Sequence, residues 1–180
     1  SYLERKTPCP FSRVCKELAV IRYLLGEGRE QFFGYLRESI ADTLSVRRER
    51  SFAELVEIHT NAILVNDTSA RKRLLDIEVA GEGDWRPLFD GLSACASPDA
   101  VKRTERLERA RILLSKRDAK TRQWFGPMLA VLQAISDKDS PAVASAWRKR
   151  ETVWRRRHRE KQPSANPDGI LDLSLLAAGI

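Results

Sequence analysis

Acidic side chains gather in one stretch of an otherwise basic chain, and they are the first residues whose type and spacing could do chemistry. Residues 74–99 contain six acids and the single base Arg86, whereas the whole chain carries a formal charge of +7. Within this window the loop EVAGEGDW, residues 78–85, combines carboxylates and glycines with a tryptophan. Carboxylates can replace phosphates in a partner's basic cleft, and an aromatic ring can anchor the contact. The loop therefore predicts a protein-binding surface that consists of Glu78, Glu82, Asp84 and Trp85, with Asp90 nearby.

A purely structural interpretation of the same loop stays open. Gly81 could end one helix, Asp84 could cap the next helix, and Trp85 could belong to the core. Both interpretations require a short glycine-bearing connection between two helices, so the pattern does not choose between them.

A second candidate surface lies near the C-terminus, where residues 148–161 are rich in arginine and follow Trp147. Basic side chains beside aromatic rings can contact phosphates and stack on bases, so this helix is an alternative, nucleic-acid-binding surface. Its residues are Arg148, Arg155, Arg156, Arg157 and Arg159. On a helix, however, Trp147 and Trp154 lie on the same side as Val143. That spacing predicts that the tryptophans belong to the core and that the arginines form a solvated outer face.

The sequence contains no recognisable catalytic or metal-binding signature. It has no glycine-rich nucleotide loop, no HExxH and no GxSxG. Its three cysteines are odd in number and form no CxxC pair, which argues against a disulfide framework and a zinc site. His59 falls within an apolar stripe and is expected in the core. We therefore expect that the protein is not an enzyme and binds no cofactor or metal. A pocket that contains carboxylates with shifted pKa values would be invisible in the sequence.

Length and composition predict one folded domain. The chain has 180 residues, of which 42% are hydrophobic, and it is long enough to bury a sizeable core. No apolar run approaches the roughly 20 residues that a membrane-spanning helix needs. No secretory leader follows Ser1, so a cytoplasmic protein without a membrane partner is the expectation.

Apolar spacing predicts an all-α domain of six to eight packed helices, and a stacking of helical hairpins is compatible with it. The first helix should bury Val14, Leu18, Ile21 and Leu25, and a later one Val101, Leu107, Ala110 and Leu114. Ser51 with Glu54 predicts a capping box, and Ser97–Pro98 and Ser140–Pro141 predict two further helix starts. A helical hairpin of residues 125–159 is expected to be the element against which the other helices pack. Residues 1–7 are predicted to form an arm, 163–169 a loop and 170–180 an apolar closing helix.

The last third of the chain carries a family likeness. The series WFGPMLAVLQAISDKDSPAVASAW, the arginine-rich helix and NPDGILDLSLLAAGI together resemble the closing half of the immunity 49 family of bacterial polymorphic-toxin systems. The resemblance implies a helical, non-enzymatic protein that is encoded beside a secreted toxin and occludes the active site of that toxin. The resemblance assigns no functional residue in this sequence, because no family motif identifies one. A helical nucleic-acid-binding or regulatory protein is the alternative.

Overall fold

The computed structural model describes residues 10–26, 28–45, 50–77 and 83–159. These residues form eight helices and no strand, which confirms the prediction of a single all-α domain. The predicted arm (1–7), loop (163–169) and closing helix (170–180) lie outside the described residues. The helices are α1 (Pro10–Leu24), α2 (Arg29–Ser45), α3 (Phe52–Leu64), α4 (Thr68–Leu75), α5 (Arg86–Ala96), α6 (Ala100–Ser115), α7 (Ala119–Ser136) and α8 (Ser140–Arg159). None of the described helices is long and apolar enough to cross a membrane.

Helix α5 is the centre of the fold. It packs against α3, α4, α6 and α7, whereas α8 packs chiefly on α7 and α1 chiefly on α2. Every residue of α5 from Pro87 to Ala94 is buried, including Asp90 and Ser93. A helix that is buried all round belongs to the interior of a domain. The hairpin 125–159 is therefore one flank of the molecule, and its prediction as the organising element is wrong.

A glycine of α5 lets this helix lie close against two leucines of α7. A Cβ atom at Gly91 would lie 2.9 Å from Leu129 Cδ1 and 3.0 Å from Leu132 Cδ1. These distances are shorter than ordinary contacts between carbon atoms, so any larger residue would push the two helices apart or force the leucines out of their rotamers.

Gly91→Ala is expected to lower the free energy of unfolding by about 1–2 kcal/mol, because the gain in helix propensity is smaller than the cost of overpacking. Gly34→Ala is the matched control, since a Cβ at that helical position of α2 meets nothing within 4 Å. It should stabilise the protein by about 0.5–1 kcal/mol. Urea unfolding of both variants measures the difference. Two variants with equal stability would contradict the packing assigned to Gly91.

Helix starts were predicted in part. The capping box is confirmed: Glu54 N donates to Ser51 Oγ at 3.3 Å, and Ser51 N donates to Glu54 Oε2 at 3.0 Å. The Ser97–Pro98 start is wrong by two residues, because Asp99 caps α6 through its carboxylate. Helix α8 does begin at Ser140, but the cap is the carboxylate of Asp139, which accepts from the backbone of Ala142 at 3.0 Å. At both helix starts an aspartate next to the Ser–Pro pair caps the helix in place of the serine. A negative charge at a helix N-terminus also interacts favourably with the helix dipole.

Two predicted core faces are displaced. On α1, Val14 is 48% exposed, Ile21 49% and Leu25, just beyond the helix, 69%. The buried side of α1 carries Cys15, Ala19 and Val20 instead. On α6 the prediction holds for Leu107, Ala110 and Leu114 and fails for Val101, which is exposed. Each helix carries apolar residues on more than one side, and the positions of its neighbours decide which side is buried.

Candidate functional site

The predicted acidic loop is described only at its end. Glu78 and Glu82 lie outside the described residues. Asp84 is exposed, and one oxygen of its carboxylate lies 3.7 Å from Nη1 of Arg117. This distance indicates a loose ion pair at a solvent-accessible position. Asp84 does not cap α5, because no side chain makes a cap hydrogen bond at the start of that helix.

Trp85 is neither a core residue nor a mobile surface side chain. Its indole is 38% exposed, and its ring meets the ring of Phe125 edge to face, with the centroids 4.8 Å apart. Phe125 is buried in α7, so this ring contact packs part of the indole against the domain. The result is a rigid, partly exposed aromatic ring beside the exposed carboxylate of Asp84.

Asp90, the fifth residue of the predicted surface, points inward. It is 1% exposed, and its two carboxylate oxygens accept from Nη2 of Arg109 at 2.6 Å and from Nε of the same side chain at 3.0 Å. The guanidinium of Arg86 adds a third cationic nitrogen 3.7 Å away. The carboxylate is therefore paired inside the domain, and because it is buried it cannot contact a protein partner from where it lies.

Asp90 borders a cavity that is lined largely by polar and charged side chains. The cavity has a volume of about 740 Å³ and lies between α3, α4, α5 and α6. We call it the arginine cavity, because Arg86, Arg106 and Arg109 line it. The α4 end contributes Asp76, and Ser93 lies on the α5 side. Sequence reasoning missed this site. The spacing of Arg86, Asp90 and Ser93 does indicate one face of α5, but nothing in the sequence says that α6 faces it.

A buried histidine supports the cavity wall. His59 is inaccessible to solvent, and its Nε2 lies 3.3 Å from Oγ of Ser93. Its Nδ1 has no hydrogen-bond partner among the described residues. Burial, reinforced by the positive charges of Arg71 and Arg106, lowers the pKa of His59 from 6.5 to about 4. The predicted core position of His59 is confirmed, and its ring is neutral at neutral pH.

The basic helix α8 has a different inner face from the one predicted. Arg150 is 5% exposed, its guanidinium stacks 4.2 Å from the ring centroid of Trp124, and its Nη1 donates to the Trp124 carbonyl at 3.0 Å. Trp147 and Trp154 are only half-buried. The prediction of core tryptophans and an entirely solvated set of arginines is therefore wrong. An arginine can occupy a buried position when its stem packs on an aromatic ring and its N–H groups find acceptors.

Three of the five predicted basic-surface residues are exposed in the structure: Arg148, Arg155 and Arg156. Arg155 is engaged by Glu151, whose Oε1 accepts from Nη2 at 2.6 Å and from Nε at 3.0 Å. The side chains of Arg157 and Arg159 lie outside what the structure describes. The free positive charge on this part of α8 is thus smaller than the sequence suggests.

Metal-ligating side chains and the thiol of Cys95 are the other groups in the described residues that could do chemistry. Within the described ranges, no three side chains of His, Cys, Asp or Glu come together in a way that could hold a metal ion. Cys95 is half-buried and donates to the carbonyl of Leu132 at 3.4 Å, and burial raises the pKa of its thiol to about 11. A thiol of this kind is unreactive at neutral pH.

Comparison of the chain with protein-family models, with curated proteins and with solved structures finds no match.

Proposed function

We propose that this chain is an immunity protein, which binds a cognate antibacterial toxin by protein contact and occludes the active site of that toxin. The observation that carries the proposal is the pair formed by Trp85 and Asp84. The tryptophan is held by Phe125 and still exposes part of its ring. Rigid, partly exposed aromatic rings dominate the binding energy of many protein interfaces, because little side-chain entropy is lost when they are covered.

Asp84 supplies the electrostatic part of the proposal. Its side chain is 67% exposed and only loosely paired with Arg117. A basic cleft that has to bind phosphates would attract this carboxylate, and complementary charge mainly accelerates association. Trp85 would then supply the apolar contact that slows dissociation.

The proposal expects a secreted protein to be encoded directly upstream of this chain, and the test uses the C-terminal domain of that protein. Asp84→Lys is expected to slow association with that domain about tenfold, because it reverses the charge at the contact. Trp85→Ala should weaken binding about tenfold, mainly through faster dissociation. Surface plasmon resonance separates the two rates.

Glu105→Lys is the matched control, since it makes the same charge change at an exposed position of α6. It should alter each rate less than about twofold. If Asp84→Lys and Trp85→Ala leave both rates unchanged while the wild-type chain still protects cells, the contact lies on another surface.

Nucleic-acid binding by α8 is the second candidate function. The observation in its favour is that Trp147 is half-buried and, with Val143 and the exposed Arg148, lines a shallow groove. Binding of this kind should fall steeply with salt and should be lost in the double variant Arg148→Ala/Arg156→Ala. Absence of binding to single- and double-stranded oligonucleotides at low salt would eliminate this candidate.

A further inference from the structure

The arginine cavity places arginine side chains at a concave, partly enclosed position. Three guanidinium groups from α5 and α6 line it, against the two carboxylates of Asp76 and Asp90. Asp90 is already bonded twice by Arg109, so these two charges compensate each other, and Arg86 and Arg106 against Asp76 leave a formal charge of +1. The volume of about 740 Å³ falls in the range that small-molecule sites occupy in proteins.

Two of these arginines keep N–H groups that an oxyanion could accept from. Arg109 uses Nε and Nη2 for Asp90, so its Nη1 can donate to a ligand. Arg106 uses Nη2 for the carbonyl of Leu75 at 3.3 Å, and its Nε and Nη1 have no partner recorded among the described residues. Arginine presents N–H groups in a planar fork that matches the oxygens of a phosphate group.

The wall of the cavity adds neutral donors. Ser93 is 2% exposed and lines the cavity, and its hydroxyl contacts His59. Because His59 is neutral, its Nε2–H can donate to Oγ, and the hydroxyl hydrogen of Ser93 can then point to a ligand. The Nδ1 of His59 remains without a partner among the described residues, so this polar network is incomplete as it stands.

We propose that the arginine cavity binds a small molecule that carries a phosphate group, with Arg106, Arg109 and Ser93 as its donors. The phosphate would lie between α5 and α6, which both contribute arginine side chains to the lining of the cavity. The proposal does not depend on the proposed function, since the cavity and the exposed ring of Trp85 are separate features and are tested by separate measurements.

Isothermal titration calorimetry of the purified chain with pyrophosphate, at low ionic strength, tests the proposal. We expect single-site binding that Arg106→Gln weakens about tenfold. Arg111→Gln is the matched control, because Arg111 also belongs to α6 and loses the same charge but does not line the cavity. It should weaken binding less than about twofold.

Ser93→Ala is the second variant, and it leaves the charge unchanged. It should weaken pyrophosphate binding about fivefold while the circular dichroism spectrum stays that of the wild type. Absence of pyrophosphate binding, or an equal loss in Arg106→Gln and Arg111→Gln, would overturn the proposal. Citrate is the comparison ligand, and citrate binding as tight as that of pyrophosphate would contradict the assignment to phosphate.

Discussion

Asp90→Ala should lower the free energy of unfolding by about 3 kcal/mol. The carboxylate is 1% exposed and accepts two charge-assisted hydrogen bonds from Arg109. Removing one partner of a buried ion pair costs about 3–5 kcal/mol, because the other charge is left without compensation. We expect the lower end of this range, since the side chain of Arg109 is 50% exposed and can be rehydrated.

Urea unfolding at neutral pH measures this effect, with Asp84→Ala as the matched control. Asp84 is also paired with an arginine, but its side chain is 67% exposed and the ion pair is 3.7 Å long. Its removal should change the free energy of unfolding by less than about 0.5 kcal/mol. Equal losses in the two variants would mean that Asp90 does not hold α5 and α6 together.

His59 should make the protein about 2 kcal/mol less stable at about pH 5 than at about pH 7. Burial lowers the pKa of its imidazole from 6.5 to about 4 in the folded protein. Between these two values the unfolded chain binds a proton that the folded chain does not bind, so stability falls as pH falls through this window. The positive charges of Arg71 and Arg106 act in the same direction as burial.

Denaturant unfolding of the wild type and of His59→Gln at both pH values measures this contribution. The variant should be less stable at neutral pH, because it disturbs the contact with Ser93, but it should lose about 2 kcal/mol less on acidification than the wild type. An NMR titration of the His59 ring should give a midpoint near 4 in the folded protein. A variant with the wild-type pH dependence, or a midpoint near 6.5, would contradict the burial assigned to His59.

The sequence predicts the fold class and several local features well, because these depend on neighbouring residues. Apolar spacing indicates helices throughout, and Ser51 with Glu54 predicts a cap that the structure contains. The choice of buried face is less predictable. On α1, Val14 and Ile21 form as regular a stripe as Cys15 and Ala19, and only the position of α2 decides that the smaller residues are buried.

The candidate sites are harder to predict, because they depend on how distant helices meet. Asp90 belongs to an acidic stretch that looks solvent-exposed, yet the helix that carries it is surrounded by four others. Its partner Arg109 is nineteen residues away, on another helix. Arg150 was expected on a solvated face, and its burial follows from a stacking contact with Trp124 that no periodicity indicates.

The proposed function predicts that the gene directly upstream encodes a secreted protein with a toxic C-terminal domain, and its most direct test is to co-express that domain with this chain. We predict that this domain alone stops growth, that the wild-type chain restores growth, and that the two purified proteins form a stable complex by size-exclusion chromatography. Trp85→Ala expressed at the same level should protect less well. A metabolic operon at that position, or a toxic domain that neither binds this chain nor is neutralised by it, would contradict the account.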